Sequence, residues 1–315
     1  ALNTTIGGIA LSASSGSTGA DGTVVVQVTS GIIATPVRVT ATVRGTTIST
    51  QSEQLVISTG LPAQDGFSIS IANLSPESWS IDGVTTTVTA RLSDHFHNPV
   101  PDGTAVYFTT SGGSIQPSCT TVGGACSVNW TSQNPRPYAP QASKSGRAVI
   151  LAYAVGEEAF IDLNGNGLAD AGEFTDTTGA FRDDNENGSR EANETFIPFN
   201  QMGVFDPMDG KFNGVLQGAS SIGAPTSKHV FSNNVLVMAS SAALITNSCG
   251  NSVAVAQGAS APRTITVNDL NANTMPSGTK VSVAFDSVVT GIKLTSSDYT
   301  FPNSAATIGA SLVIL

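Results

Sequence analysis

Short runs in which apolar and polar positions alternate dominate this chain. Val24–Val28 and Val37–Val43 alternate or run on in β-branched residues, and Gln54–Ser58 adds a short strand before Gly60-Leu61-Pro62. A second series follows at Phe67–Ala72, Val84–Leu92, Ala105–Thr110, Ser127–Trp130 and Ala148–Ala154, with a further strand at Val230–Ala239. Turn signals separate these strands at Pro76-Glu77, Asn98-Pro99, Pro101-Asp102-Gly103, Gly112-Gly113 and Gly123-Gly124. Ser252–Val255, Arg263–Val267, Lys280–Phe285 and Leu312–Leu315 begin a third series. No stretch sustains a helical period, so single helical turns are the most the pattern allows. The prediction is an all-β fold of tandem antiparallel β-sandwiches. Residues 1–62 supply too few strands for a closed sandwich and read as the C-terminal part of a truncated domain. Residues 63–242 read as a full domain, and 243–315 as the N-terminal part of a further one.

Composition agrees with strands and turns. The chain has 315 residues, 40% of them apolar, 11% charged and 6% aromatic, and that length suits two or three domains. A net charge of −10 argues against nucleic acid as a partner, because little here could displace counterions from phosphates. No apolar run is long enough to span a membrane, and the start lacks a basic-then-apolar signal peptide. With no initiator Met and an apolar run at the end, both termini read as cuts in a longer precursor whose export or anchoring signals lie outside this stretch.

The charge is concentrated. Between Glu157 and Asp209 lie 13 of the 23 acidic residues and only two of the 13 basic ones, Arg182 and Arg190. A solvated acidic loop is the bland account of such a run, but the internal spacing says more. Asp162, Asn164, Asn166, Leu168, Asp170 and Glu173 stand at positions 1, 3, 5, 7, 9 and 12 of a calcium loop, with Gly167 at the sixth. Asp183, Asn185, Asn187, Ser189, Glu191 and Glu194 repeat the pattern, with Gly188 at the sixth. A hard cation needs six to eight oxygens: alternate side chains supply most, a backbone carbonyl the seventh place, and a two-oxygen carboxylate closes the shell. Two full matches predict Ca2+ rather than Mg2+, whose tight octahedron rarely uses an all-protein cage.

Sensor EF-hands would need helices around each loop. Val149–Val155 ahead of the first loop reads as a strand instead, and Phe174–Arg182 between the loops is too short and too rich in Thr and Gly. The pattern predicts helix-less extracellular calcium repeats whose ions replace a hydrophobic core. Phe160, Phe174, Phe181, Phe196, Phe199, Phe205 and Phe212 are candidates to pin the segment to the sandwich. Asp206–Gly214 is a partial third patch without a twelfth-position carboxylate. Glu157, Glu158 and Asp176 either add ligands by folding back or are solvated.

Val88-Thr-Ala-Arg-Leu-Ser-Asp94 followed by Asn98-Pro-Val-Pro-Asp-Gly-Thr-Ala-Val-Tyr-Phe-Thr-Thr-Ser-Gly-Gly113 resembles the bacterial Ig-like domains of invasin and intimin type, with His95-Phe96-His97 departing in the turn. Asp269–Thr279 repeats the scheme more weakly. The resemblance implies tandem Ig-like modules of an extracellular or bacterial cell-surface protein, and it makes residues 157–226 an insertion before the last strand, Val230–Ala239. The competing reading makes the acidic segment a small domain of its own.

Cys119 and Cys126 flank a Gly-Gly turn at facing positions of a predicted hairpin. A disulfide there implies an oxidising compartment; free buried thiols are the alternative, and zinc lacks a second ligand pair. Cys249 is left over, its partner expected beyond Leu315. For catalysis the only histidines are His95, His97 and His229, and no Gly-x-Ser-x-Gly occurs. His95 and His97 alternate as a metal pair would on a strand, against the blander account of two exposed turn residues. The expectation is therefore a non-enzyme: a calcium-stabilised structural or adhesive stalk segment of an exported bacterial surface protein. Its partners would be neighbouring Ig-like modules of the same or adjacent chains and a surface receptor or glycan. The alternatives are a subunit of an extracellular filament or surface layer, and a carbohydrate-binding accessory module.

Overall fold

The computed structural model describes residues 1–5, 8–31, 35–57, 60–200, 203–247, 256–261, 263–284 and 298–314. Among them every element is a strand, apart from 3-10 turns. The chain is all-β.

The largest hydrophobic core among the described residues lies in a two-sheet antiparallel sandwich. Its strands, numbered after six short N-terminal ones, are β7 (Phe67–Ile71), β8 (Thr85–Leu92), β9 (Ala105–Thr110), β10 (Ser114–Ile115), β11 (Ser118–Thr120), β12 (Ala125–Thr131), β13 (Arg147–Gly156) and β14 (Lys228–Val237). One sheet runs β10-β12-β8-β7 and the other β11-β9-β13-β14. The long strands β7, β8 and β12 thus face β9, β13 and β14, which is the immunoglobulin-like division of strands between sheets. Alternation sets the faces: along β8, Thr86, Val88, Ala90 and Leu92 are buried while Thr85, Thr87 and Arg91 are exposed. The inward set packs on Val106, Phe108, Val128, Trp130, Ile150, Ala152, Leu236 and Met238. Trp130 is fully buried and its indole Nε1 donates to the Gly112 carbonyl at 2.8 Å. The approach requires glycine at 113, where φ is +71° and a Cβ would stand 2.6 Å from the indole ring.

β13 departs from alternation. Its residues Arg147–Ala152 are buried without a break, although an antiparallel sheet with one wet face should show every second residue exposed. Leu151 points away from the core yet is 0% exposed; it sits between Thr109 and Asn233 in the register. Both neighbours are bonded to the acidic segment, through Arg182 and the Phe181 carbonyl respectively. The segment covers this sheet's outer face.

The remaining residues are strand-poor. β1 (Ala10–Leu11) pairs β2 (Val28–Thr29), β3 (Thr35–Val37) pairs β6 (Leu55–Ile57), and β4 (Thr40–Thr42) pairs β5 (Ser49–Gln51). The strand expected over Val24–Val28 survives only at its end: Val24 and Val25 are exposed and have no inward face. The expected Val37–Val43 strand breaks in two, because the Arg38 amide bonds Asn3 Oδ1 and the Val39 amide bonds Ser52 Oγ instead of a ladder. At the other end β15 (Ala243–Asn247), β16 (Arg263–Asp269) and β19 (Ala310–Ile314) form a three-stranded sheet. There β17 (Lys280–Ser282) pairs β18 (Asp298–Thr300). The strand expected at Ser252–Val255, and Cys249, lie outside the described residues.

The resemblance between the two turns is physical. Asp94 Oδ1 accepts the amides of Phe96 and Asn98, and Asp269 Oδ1 accepts those of Asn271 and Asn273. His97 and Ala272 both have φ +60° at the residue before the asparagine. The disulfide Cys119–Cys126 is formed, with a Cα separation of 6.0 Å. It does not cross a paired hairpin: Cys119 lies on β11 and Cys126 on β12, which belong to opposite sheets. It therefore staples the two layers at one edge, and its short loop contributes on the order of 2.5 kcal/mol in a chain-entropy picture.

Trp130→Ala removes the largest core side chain and is expected to cost about 3–5 kcal/mol. Urea unfolding followed by circular dichroism measures it; a loss under 1 kcal/mol, of the order of a surface change, would contradict this packing.

Candidate metal centre

Residues 157–227 leave the sandwich at Gly156 and return at Lys228, which face each other at the end of the β13–β14 ladder. Two glutamates begin the excursion, and both are 0% exposed. They are neither solvated nor folded into the loops. Glu158 Oε1 accepts from Lys228 Nζ at 2.9 Å and from the Thr177 amide at 2.8 Å, and Oε2 accepts the Asn213 amide at 2.9 Å. Glu157 Oε2 accepts the Val215 amide at 2.9 Å. These carboxylates tie two separate stretches of the segment to the start of β14 at its root.

The segment also has a small core of its own, which the sequence reading denied it. Phe160, Ala169 and Phe212 are buried together, with Phe174 and Leu216 against them. The other phenylalanines divide as follows. Phe181 packs on Phe231 of β14 and Phe199 on His229, pinning the segment to the sheet, while Phe196 and Phe205 hold the Arg190 guanidinium 4.7 and 4.4 Å from their ring centres.

Both twelve-residue loops fold the same way. In the first, Asp162 accepts the amides of Gly165, Asn166 and Gly167 at 2.7–3.2 Å. Glu173 closes the ring by accepting the Leu163 and Asp170 amides, each at 3.1 Å. In the second, Asp183 accepts the amides of Asn187 and Gly188, and Glu194 those of Asn185 and Glu191. Gly167 and Gly188, at the sixth positions, both have φ +78°, a conformation that favours glycine. The third, fifth and ninth side chains converge: Asn164 and Asn166 amides meet Asp170 Oδ2 at 2.9 and 2.8 Å, and Asn185 and Asn187 meet the Glu191 carboxylate. These amides hold the Asp170 carboxyl below the usual carboxylate range.

Leu168 and Ser189 stand at the seventh positions, where each amide bonds the asparagine two residues earlier. Among the described residues no three His, Cys, Asp or Glu side chains converge tightly enough to hold a metal by themselves. The first and twelfth carboxylates organise backbone, and one carboxylate with two asparagines makes each inner cluster. The donor set is wholly oxygen, which fits a hard cation and not zinc or copper.

Asp206 and Asp209 of the partial third patch line a cavity of about 180 Å3 with Asn213, Lys228 and His229. Their carboxylates are engaged: Asp206 with the Phe199 amide and Asn200, Asp209 with the Lys211 amide and Asn213. Asp176 joins this patch by accepting the Gly210 amide at 2.6 Å. The histidines make no strand pair. His95 and His97 lie in the Asp94–Asn98 turn, where His97 is exposed and His95 stacks on Phe160 at 3.8 Å between ring centres.

Sequence reasoning missed the residues that tie the second loop down. Asp184 pairs with Arg182 at 2.6 Å, and Glu186 pairs in a fork with Arg147 at 2.6 and 2.7 Å. The available signal was position: 184 and 186 alternate with the inward residues and so must face outward.

No family model matches the chain, and no curated protein matches it. Among solved structures, the D0-D1 domain of intimin aligns over 48% of this chain and 70% of its own, at 19% identity and a TM-score of 0.22. A likeness that slight carries no argument about fold or function.

Two predictions follow from the root and the ring contacts. Lys228→Met leaves Glu158 a buried carboxylate without its cation and is expected to cost about 3–5 kcal/mol; Lys228→Met with Glu158→Gln should recover part of it in the same denaturation assay. Burial holds His95 and His229 below the ordinary histidine range, against the opposing pull of Asp65 and Asp94 on the first and of the Ile197 backbone and Asp206 on the second. The unfolded chain takes up protons at about pH 6.5 while the folded one resists, so stability falls as pH drops below that value. Urea midpoints measured down to about pH 5 should decline, and His95→Gln with His229→Gln should flatten the decline.

Proposed function

We propose that this chain is a calcium-stabilised structural or adhesive stalk segment of an exported bacterial surface protein. The observation that carries the reading is that two oxygen-rich loops hung between the last two strands of a sandwich share one core of contacts: the first carboxylate takes the fifth and sixth amides, the twelfth takes the ninth, and the third and fifth asparagines meet the ninth carboxylate. Chance Asn/Asp/Gly-rich turns have no reason to share a ring closed by the first and twelfth carboxylates. On this reading each loop takes one Ca2+. The side chains at positions 1, 3, 5, 9 and 12 and the carbonyls of Leu168 and Ser189 would be the ligands, and the inner amides would turn their oxygens to the ion.

No helix among the described residues exceeds a single turn, so ion binding has no helix pair to open into a groove, as a sensor requires. The ions would instead neutralise the acidic segment and hold it on the outer face of β13. Tandem modules at 1–62, 63–242 and 243–315 would lie in series, with the acidic segment an insert of the second. The inter-sheet disulfide supports an oxidising, extracellular setting. The resemblance of Val88–Gly113 to invasin-type modules supports the surface-protein reading.

Calorimetric titration of the chelator-treated full chain should find two Ca2+ per molecule, and Asp162→Asn with Glu173→Gln should remove one of them. At a hundredfold excess over Kd each ion adds about 2.7 kcal/mol to stability, so Tm rises with calcium. A chain that binds no calcium at millimolar concentration defeats the reading.

A further inference from the structure

The two loops share a fold but differ in everything that faces outward. In the first, the second position is Leu163, 75% exposed, the fourth is Gly165, and the eighth, Ala169, bonds Leu216 within the same segment. In the second, each of those positions grips something. Asp184 takes the fork of Arg182, whose Nη1 reaches Thr109 Oγ1 and the Thr110 carbonyl on β9. Arg190 lies between two phenylalanine rings. Glu186 accepts Arg147 Nε and Nη2 at 2.6 and 2.7 Å and also bonds Ser143 Oγ.

Arg147 is 3% exposed, and its remaining Nη1 donates at 2.8 Å to the carbonyl of Ala305, in the C-terminal residues beyond the sandwich. Its neighbours reach the same way. Lys144 Nζ donates to the carbonyls of Ala272 and Thr307 at 2.7 and 2.5 Å, and Asn273 Nδ2 donates to the Ser145 carbonyl at 2.8 Å. Gly146, at φ +87°, leaves room for the side chains of Asn271 and Asn273, whose Nδ2 atoms a Cβ there would meet at 3.1 and 3.2 Å. The Leu74 amide, bonding Asn303 Oδ1, and the Ser277 amide, bonding the Ser75 carbonyl, cross the same boundary.

We infer that the Glu186–Arg147 pair latches the second loop to residues 269–277 and 303–307, so that an ion in the second loop, and not in the first, sets how firmly those residues are held against the sandwich. The inference rests on the calcium reading above. An ion drawing Asn185 and Asn187 inward fixes the backbone of Glu186 between them. It thereby fixes the carboxylate that orients a buried guanidinium, and a charged pair made in one geometry transmits position where a solvated one would not. The first loop has no such side chain and serves the segment alone.

The test measures calcium stoichiometry by calorimetry and amide exchange at Leu74 and Ser277 by NMR, both on the full chain. In the wild type, calcium should slow both amides about tenfold or more, corresponding to about 1.4 kcal/mol. Asp162→Asn with Glu173→Gln should bind one ion and keep that response. Asp183→Asn with Glu194→Gln should bind one ion and lose it. Glu186→Gln, whose side chain bonds Arg147 and Ser143 and no ligand side chain, should bind two ions and still lose it. A Glu186→Gln chain that responds like the wild type overturns the latch, as does loss of the response on disabling the first loop. A wild type that binds no calcium is recognised by calorimetry alone, and it overturns the latch together with the reading beneath it.

Discussion

The structure depends on one constraint: β13 and β14 pair along their whole length, from Arg147–Val237 to Gly156–Lys228, yet 157–227 lies between them. Everything in that segment must leave and return at one end of the β13–β14 ladder. Closing so long a loop costs more than closing a tight turn, although the cost grows only with the logarithm of length. The buried ion pair of Glu158 with Lys228 sits at that point. Its partners Thr177 and Asn213 come from different stretches of the segment. The root is thus cross-linked by charge and hydrogen bonds where a hairpin would have two turn residues.

A second consequence concerns the sheet. With the segment folded over it, β13 is buried on both faces over Arg147–Ala152, and its outer residues there can be Leu151 and Val149 without exposing an apolar stripe. The segment in return gains a floor on which Phe181 and Phe199 can pack. Each surface covers what the other would expose: a bare Val-Leu strip invites association, and the segment's own core of Phe160, Ala169 and Phe212 is small. The packing and the insertion are one feature.

The sandwich strands were legible in the sequence because each carries a two-residue period or a β-branched run and is bounded by turn residues. Phe67–Ile71, Thr85–Leu92 and Ala105–Thr110 appear within a residue of expectation. The N-terminal strands were less so, since pattern records which residues could pair but not whether a partner stands beside them, as Val24 and Val25 demonstrate. The disulfide was readable as a pairing but not as a bridge between sheets, because spacing across Gly123-Gly124 does not say which layer each strand joins. Loop ligand positions could be listed from spacing alone. The buried Glu157 and Glu158 could not be foreseen, because their partners lie between 19 and 70 residues away.

The two loops also place different demands on the same residue types. A ring of inward oxygens is set by local spacing, and a chain can repeat it wherever Asp, Asn and Gly recur at the right intervals. What such a ring does for the molecule is decided by the positions in between. Leu163 and Gly165 leave the first ring facing water, while Asp184 and Glu186 commit the second to a half-buried arginine, Arg182, and a buried one, Arg147. Since a buried guanidinium left without its carboxylate is strongly unfavourable, the second ring cannot shift without disturbing Arg147, and Arg147 cannot shift without releasing Ala305. Mechanical meaning therefore resides in the outward residues, and a search for ligand spacing alone passes over it.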